Sequence, residues 1–202
     1  MAADTRIDSR IHTHHHAVQF YGDDSTLAKT IAGFLIEGLV ANQPAVVIAT
    51  PAHTKEILDQ LTERHIDVER ARQLGDLVVM DAEETLVTFM NQGMPDPALF
   101  RRVIGEVFEQ AVRGRERTPV RAYGEMVDVL WKKGTTAAAI RLEVLWNELA
   151  ATHAFSLLCG YAIGSFYKQA SMLEEVARQH THVVGEPPHV VSIDAARRVR
   201  AK

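Results

Sequence analysis

Five short apolar segments alternate with helical patterns along this sequence, and the alternation constrains the fold more than any other feature. Each segment has four or five residues and is followed by a glycine or a polar residue, as is typical of strands covered on both faces. The segments are Ala17–Tyr21, Ala45–Ala49, Leu77–Met80, Val120–Tyr123 and Phe155–Cys159. They predict an α/β fold of three layers, in which helices cover both faces of a mostly parallel five-stranded sheet.

Helical periodicity fills the stretches between and after these segments. Helices are predicted over residues 26–41, 51–65, 82–91, 97–111, 126–132, 136–153 and 165–179. Asp24 or Ser25 is expected to cap the first helix, because short acidic and hydroxyl side chains accept hydrogen bonds from the first turn. Proline in the first turn, at Pro51 and Pro97, supports the starts of two others.

Composition excludes several classes of protein. Hydrophobic residues make up 47% of the chain and the formal net charge is -4, which argues against disorder and against a broadly basic nucleic-acid-binding surface. A single cysteine excludes a disulfide framework, and no window approaches the roughly 20 apolar residues of a membrane span. We therefore expect a soluble cytoplasmic protein. Cys159, inside the fifth strand, is expected to be a small core residue rather than a nucleophile.

The chain is predicted to divide into four parts. Residues 1–15 form a flexible tail whose histidines have adventitious metal affinity, and no dedicated metal site is predicted. Residues 16–163 form the α/β domain, and residues 164–180 form a C-terminal helix. Residues 181–202 form a polar and basic tail that carries two prolines and four cationic side chains.

A binding site is expected where the strands end, because ligands of parallel sheets bind beyond the carboxyl ends of the strands. The candidates at these positions are Tyr21, Asp23, Asp24, Thr50, Asp81 and Glu125. Asp81 has a second interpretation as a helix N-cap, which we favour. Glu125 either faces a pocket or forms a structural ion pair with Arg121, and the sequence leaves both open.

The turn after the first strand occupies the place of a phosphate-binding loop but departs from that motif. Residues 22–30 read GDDSTLAKT, so that Lys29-Thr30 match the end of the motif G-x-x-x-x-G-K-[ST]. Ala28 replaces the second glycine, and Asp23 and Asp24 would repel a triphosphate. We interpret the loop as non-functional in phosphate binding.

Five stretches together resemble one sensory family, and they occur in the order of that family: HAVQFYGDD, AVVIATPAH, VVMDAEETLVTFM, RAYGEMVDVLW and RLEVLWNELAATHAFSLLCGY. The resemblance is to the MEDS domain, the methanogen/methylotroph DcmR sensory domain, and runs from about His16 to Ile163. It implies a RecA-like relative that has lost the nucleotide-binding motif, with Glu125 near the magnesium-binding acid of the ATPases. It adds Trp146 and Asn147 to the candidate ligand-binding residues, although Trp146 is also simply interpreted as a core anchor.

The resemblance implies a non-enzymatic sensory domain of a bacterial or archaeal signalling or transcription pathway. Such a domain would bind an unidentified small molecule or a signalling protein, with no cofactor indicated and no direct contact to nucleic acid or membrane. The apolar stripe of the C-terminal helix either pairs with a partner or a second copy, or packs on the chain's own sheet. Two alternatives remain: a residual nucleotide-binding ATPase that uses Lys29, Thr30, Asp81 and Glu125, and a ligand-free protein-interaction module.

Overall fold

A parallel sheet organises the computed structural model, which describes residues 15–115, 118–166, 170–184 and 191–192. All five predicted strands are present and parallel to their neighbours. Their spatial order is β3 (Leu77–Asp81), β2 (Ala45–Ala49), β6 (Val120–Gly124), β7 (Phe155–Ala162) and β1 (His15–Tyr21). The predicted fold class is therefore confirmed.

The described sheet has more strands than the five predicted. β8 (His182–Val184) lies parallel to β1, and β9 (Val191–Ser192) pairs with β8 in the antiparallel sense. Both strands fall in the stretch that the sequence analysis assigned to the polar tail, where runs of two or three residues are too short to reveal a strand. A separate hairpin joins β4 (Met90–Asn91) to β5 (Met94–Pro95).

Helices cover both faces of the sheet and complete the three layers. Along the chain they are α1 (Asp24–Val40), α2 (Pro51–Glu63), α3 (Val68–Gln73), α4 (Ala82–Phe89), α5 (Pro97–Ala111), α6 (Met126–Lys132), α7 (Thr136–Leu149) and α8 (Ala170–Arg178). The first three helices pack with one face of the sheet, and α4 to α8 contribute to a separate apolar core on the other face. None of the described helices combines the length and apolar character needed to cross a membrane.

Aspartate side chains fix the starts of helices that follow strands, among them α1 and α4. Asp23, rather than the predicted Asp24 or Ser25, caps α1, because its Oδ2 accepts a hydrogen bond of 2.7 Å from the Thr26 amide. Asp81 caps α4, as predicted, and its Oδ1 accepts hydrogen bonds of 2.8 and 2.9 Å from the amides of Glu83 and Glu84. Asp23 takes this role because its backbone is still extended, which aims its side chain at the first turn.

Removing the Asp81 carboxylate is expected to destabilise the protein modestly. Asp81→Ala should lower the free energy of unfolding by about 1 kcal/mol, because two amides of the first turn lose their acceptor. Asp81→Asn should retain most of the stability, since the amide oxygen can accept the same bonds. Urea denaturation of both variants measures the difference, and an equal loss in the two would mean that the charge rather than the cap is responsible.

The C-terminal helix packs on its own chain. Val176 of α8 is fully buried in the core beneath α7. Phe166, in a 3₁₀ turn that precedes α8 (Ile163–Phe166), stacks on Trp131 with ring centroids 4.6 Å apart. Of the two packing alternatives, the structure therefore has the one in which the stripe faces the chain itself, and these side chains are not available to a second copy. Residues 167–169 of the predicted helix lie outside the described residues.

Candidate functional site

Glu125 is the centre of a buried polar cluster at the carboxyl ends of the central strands. The residue follows β6 directly and is 1% exposed. Its Oε1 accepts a hydrogen bond of 2.5 Å from the Thr50 amide, and its Oε2 lies 2.5 Å from Nδ1 of His53. The Tyr123 hydroxyl donates to the same Oε2 at 3.0 Å. Three donors from two strand ends and one helix therefore surround this carboxylate.

Sheet register brings these groups together. Strands β2 and β6 are neighbours, with Ile48 paired to Gly124, so the residues that follow each strand emerge at the same edge. Pro51 then begins α2, which places His53 in the first helical turn and directs its ring back towards Glu125. The nearest carboxylate to the His53 ring is therefore that of Glu125.

The electrostatic environment of His53 and Glu125 favours the charged form of both groups. The hydrogen bond to Glu125 raises the pKa of His53 above its ordinary value, although burial opposes the change. Burial alone would raise the pKa of Glu125, but the hydrogen bonds from His53 and Thr50 outweigh it and lower the pKa. Burial, followed by the Glu125 charge, raises the pKa of the Tyr123 phenol well above its usual range, so Tyr123 stays a donor. The buried carboxylate is thus ionised and fully engaged.

Arg121 is not the partner of Glu125. Its guanidinium lies over the Phe34 ring at 4.9 Å, donates to Gln43 at 2.9 Å and is 3.5 Å from Glu37. Arg121 is near the start of β6 and Glu125 follows its end, and four residues of extended chain span about 13 Å. Of the two interpretations of Glu125, the ion pair with Arg121 is therefore wrong.

A second buried acid, Asp128, lies one turn further along α6. Its Oδ2 accepts a hydrogen bond of 3.0 Å from the Tyr21 hydroxyl and is 2.8 Å from Nζ of Lys132. Its Oδ1 accepts a hydrogen bond of 3.0 Å from the Ala162 amide, at the end of β7. Burial, and then the nearby Asp128 carboxylate, raises the pKa of Tyr21. Asp128 thus connects β1 and α6 to the last residue of β7.

A cavity of about 200 Å³ opens beside these two acids. Its lining consists of Thr50, His53, Glu83, Glu125, Asp128, Val129, Lys132 and Lys133. At its rim, Nζ of Lys133 lies 3.0 Å from Glu83. The volume corresponds to roughly seven water molecules at about 30 Å³ each. The cavity therefore suits a small ligand, at the edge of the sheet where ligands of parallel sheets bind.

Comparison with protein families accounts for most of the chain. Residues 15–181 match the model of the methanogen/methylotroph, DcmR sensory domain. The chain belongs to the MEDS family. Among proteins of curated function, none matches the sequence.

Two solved structures are similar to this MEDS domain in fold. A KaiC-like protein from the hyperthermophilic archaeon Pyrococcus horikoshii superposes with a TM-score of 0.58 at 13% identity, covering 84% of this chain and 70% of that protein. An uncharacterized protein from Pyrococcus horikoshii, solved in complex with an unknown peptide, has a TM-score of 0.59 at 14% identity, covering 89% and 84%. At such identities the likeness shows the fold alone, and the fold is RecA-like.

Four of the candidate residues predicted from the sequence meet around His53. Glu125 contacts His53 directly, and the Thr50 amide donates to the same Glu125 carboxylate. Both residues also line the cavity. Oδ1 of Asp24 lies 3.4 Å from Nε2 of His53, and the Tyr21 ring packs edge-on at 5.7 Å between centroids. The rule that ligand sites of parallel sheets lie at strand carboxyl ends therefore located a genuine polar cluster of the MEDS domain.

The other two acids at strand ends act as helix caps. Asp81 is not among the residues that line the cavity, and its Oδ1 is occupied by the amides of α4. Asp23 is exposed and accepts from Ser25 as well as from the amide of Thr26. Because only Gly22 and Asp23 separate β1 from α1, the MEDS domain has no loop long enough to wrap a phosphate there.

Trp146 and Asn147 lie away from the cavity. Trp146 is in the apolar core, with its ring edge-on to Phe100 at 5.1 Å and stacked on Phe108 at 6.2 Å. The structure thus assigns it the core-anchor role. Asn147, the next residue on α7, contacts His16 and the backbone near the end of α8, in a second polar cluster.

Several polar residues of the site were not predicted as such, among them His53, Asp128 and Lys132. Each of these three lies in a helix that follows a strand rather than at the strand end itself. A signal was present, because Glu125, Asp128 and Lys132 are spaced three and four residues apart, which places them on one helical face. A second acid three residues after the buried Glu125 indicates that this face of the helix is polar and faces a cavity.

Proposed function

We propose that this MEDS domain is a non-enzymatic sensor that binds a small polar molecule in the cavity and transmits the binding through Asp128 to the C-terminal elements. The family is a sensory one, which supports a role in signalling. The observation that carries the proposal is that the two oxygens of the Asp128 carboxylate contact different parts of the fold. One oxygen belongs to the cavity network of Tyr21 and Lys132, and the other holds the Ala162 amide.

The cavity lining favours a ligand with a hydrogen-bond acceptor. A lysine ammonium carries three N–H donors, and Lys132 directs two of them to Asp128 and to the Tyr21 hydroxyl. One donor of Lys132 therefore remains for a ligand. Lys132 and Lys133 are both about half-exposed, so they can change partners at little cost, whereas Glu125 and His53 are already committed to each other.

Binding at Lys132 would reach the end of β7 in two steps. A ligand that draws the Lys132 ammonium towards the cavity weakens its ion pair with Asp128. The Asp128 carboxylate can then move, which changes its hydrogen bond to the Ala162 amide. Ala162 directly precedes the 3₁₀ turn that leads to α8. A change at this amide therefore acts at the base of the C-terminal helix.

Two observations support a sensor over an enzyme. Glu125 is the natural general base of the site, but its oxygens already accept from Thr50, His53 and Tyr123. The first turn of α1, where a nucleotide phosphate would bind, is already capped by Asp23. We therefore propose neither proton transfer nor nucleotide hydrolysis.

Ligand binding is tested with paired lysine variants. Native mass spectrometry of the purified chain identifies a co-purified small molecule, and thermal shift then screens small carboxylates and amides. We expect the ligand to stabilise the wild type by about 2.7 kcal/mol at a hundred-fold excess over Kd. Lys132→Met should weaken binding at least tenfold, because the cavity donor is lost. Lys55→Met is the matched control, since Lys55 forms an exposed lysine–aspartate pair with Asp59 at the same four-residue spacing.

Three outcomes would contradict this proposal. An equal response of the two lysine variants would place the ligand elsewhere, and stabilisation by Mg-ATP alone would favour the residual nucleotide-binding alternative. Hydrogen exchange tests the output step, because ligand should alter protection at Ala162 and in the 3₁₀ turn. Protection that changes only in α2 and α6 would mean that binding does not reach the C-terminal elements.

A further inference from the structure

Four metal-binding side chains converge in a second cluster, away from the cavity. His16 lies near the start of β1, Glu143 on α7, Cys159 on β7 and His180 just after α8. All four are buried, with exposures between 0 and 4%. His16 and Tyr21 are five positions apart on β1, which corresponds to about 16 Å of extended chain. The cluster is therefore distinct from the Glu125 site.

Four distances within this cluster are close to the edges of a coordination tetrahedron, and all four ligand atoms lie within 4.8 Å of one another. Nε2 of His16 is 3.4 Å from Sγ of Cys159 and 3.2 Å from Oε2 of Glu143. Sγ of Cys159 is 3.6 Å from the same Oε2, and Nε2 of His180 is 3.4 Å from Oε1 of Glu143. Metal–ligand bonds of about 2.0–2.3 Å at tetrahedral angles separate the ligand atoms by about 3.3–3.7 Å.

Both imidazoles are oriented so that their Nε2 atoms face the cluster. Nδ1 of His180 lies 2.8 Å from the Val176 carbonyl oxygen, which can only accept, so Nδ1 carries the proton. Nδ1 of His16 lies 2.9 Å from Oδ1 of Asn147, and the Asn147 amide group is oriented by its own bond of 2.9 Å to the Gln179 carbonyl. Histidine ligands of metals are held in this way, by donating the other ring N–H to an oxygen.

The His180 ring supplies an independent indication of a missing partner. Its Nε2 is buried and makes no hydrogen bond to any described residue, although the Glu143 carboxylate lies beside it. A buried ring nitrogen that faces a carboxylate needs a positive charge between them, which either a second proton on the ring or a bound cation supplies. A cation at the centre of the cluster would satisfy this atom together with the thiol, the carboxylate and Nε2 of His16.

We propose that this cluster is a binding site for a divalent transition-metal ion, with His16, Glu143, Cys159 and His180 as ligands. Two imidazoles, one thiolate and one carboxylate favour zinc over the hard cations magnesium and calcium, which prefer oxygen ligands. On binding, Cys159 releases its proton to solvent and coordinates as the thiolate. Four protein ligands leave no open position, so the ion would be structural and would join β1, β7, α7 and the end of α8.

Metal content and cobalt absorption test the proposal. The full chain is prepared with His12→Ala, His14→Ala and His15→Ala, which removes the other imidazoles of the N-terminal tract, and is then incubated with Zn²⁺ and dialysed. Elemental analysis should find one zinc per chain. With Co²⁺ in place of zinc, we expect a thiolate-to-cobalt charge-transfer band and visible bands of tetrahedral intensity. The absence of both bands, or of stoichiometric zinc, would overturn the proposal.

Variants assign the ligands. Cys159→Ser should abolish the charge-transfer band, and His180→Gln should lower the zinc affinity by more than tenfold. Asn147→Ala, which removes the positioning contact to His16 and the bond to the Gln179 carbonyl but no ligand, should lower affinity by about 10–100-fold while keeping the stoichiometry. His182→Gln is the matched control, because His182 lies on β8 outside the cluster and should leave both bands intact. A band that persists in Cys159→Ser would overturn the assignment, and if that variant does not fold, the wild-type cobalt spectrum decides alone.

Discussion

Trp146→Ala is expected to lower the free energy of unfolding by about 3–5 kcal/mol, because it empties the centre of the core beneath α7. Trp146 is 1% exposed. Its ring contacts Phe100, Phe108 and Phe155 with centroids 5.1–6.2 Å apart. These neighbours belong to a helix and a strand of the sheet, so they cannot collapse into the space that the indole leaves. Urea denaturation monitored by circular dichroism measures the loss.

Two control variants distinguish a core role of Trp146 from a ligand-binding role. Trp146→Phe should lose less, since a smaller ring still fills part of the site, and Val87→Ala, at a residue that is 78% exposed, should change stability by less than about 0.5 kcal/mol. A tryptophan whose role is to bind ligand would behave differently: its loss would change ligand affinity and leave the unfolding free energy nearly unaltered. A loss below about 1 kcal/mol would therefore contradict the core-anchor role.

The sequence predicted the sheet well because burial on two faces leaves a local signature. Apolar runs such as Ala45–Ala49 and Phe155–Cys159 can be identified without knowledge of any neighbour. β8 has three residues, and its pairing with β1 depends on the whole sheet having formed, so no local pattern revealed it. Helix ends were less certain for the same reason: whether Asp23 or Asp24 caps α1 depends on backbone angles rather than on residue type.

The candidate site was predictable only as far as topology determines it. Thr50 and Glu125 follow adjacent parallel strands, so their proximity follows from strand order. His53 and Asp128 reach the same place through the orientation of the helices that follow these strands, which the sequence does not specify.

The cluster of His16, Glu143, Cys159 and His180 could not be predicted from local sequence patterns. Its ligands are far apart in sequence, from His16 to His180, and lack the close spacing by which metal sites are usually identified. Cys159 was correctly expected to be buried, but its neighbours are set by strand register and by the packing of α7. The prediction of no metal site therefore rested on motif spacing alone, and it stays open to the cobalt experiment.

Glu125→Ala is expected to cost about 3–5 kcal/mol near pH 5.5, comparable to the loss of Trp146 but for an electrostatic reason. The change leaves the charged His53 ring buried beside an empty space, with only Asp24 as a remaining partner of its other nitrogen. It also deprives the Thr50 amide and the Tyr123 hydroxyl of their acceptor. Glu125→Gln should cost less, because the amide oxygen can still accept from Thr50.

The ionisation of His53 and Glu125 confines this loss to a window of pH. His53 has a pKa raised above 6.5, chiefly by its hydrogen bond to Glu125, so its contribution is complete below pH 6.5 and disappears as the pH rises through the raised value. Burial opposes ionisation of Glu125, but the bonds from His53 and Thr50 prevail and hold its pKa below 4.5, so its contribution is complete above pH 4.5 and disappears as the pH falls through the lowered value. The stability difference between the wild type and Glu125→Ala should therefore be largest between pH 4.5 and 6.5 and should shrink on both sides. Urea denaturation across this range measures it, and a difference independent of pH would mean that Glu125 acts as a neutral acceptor rather than as the partner of a charged histidine.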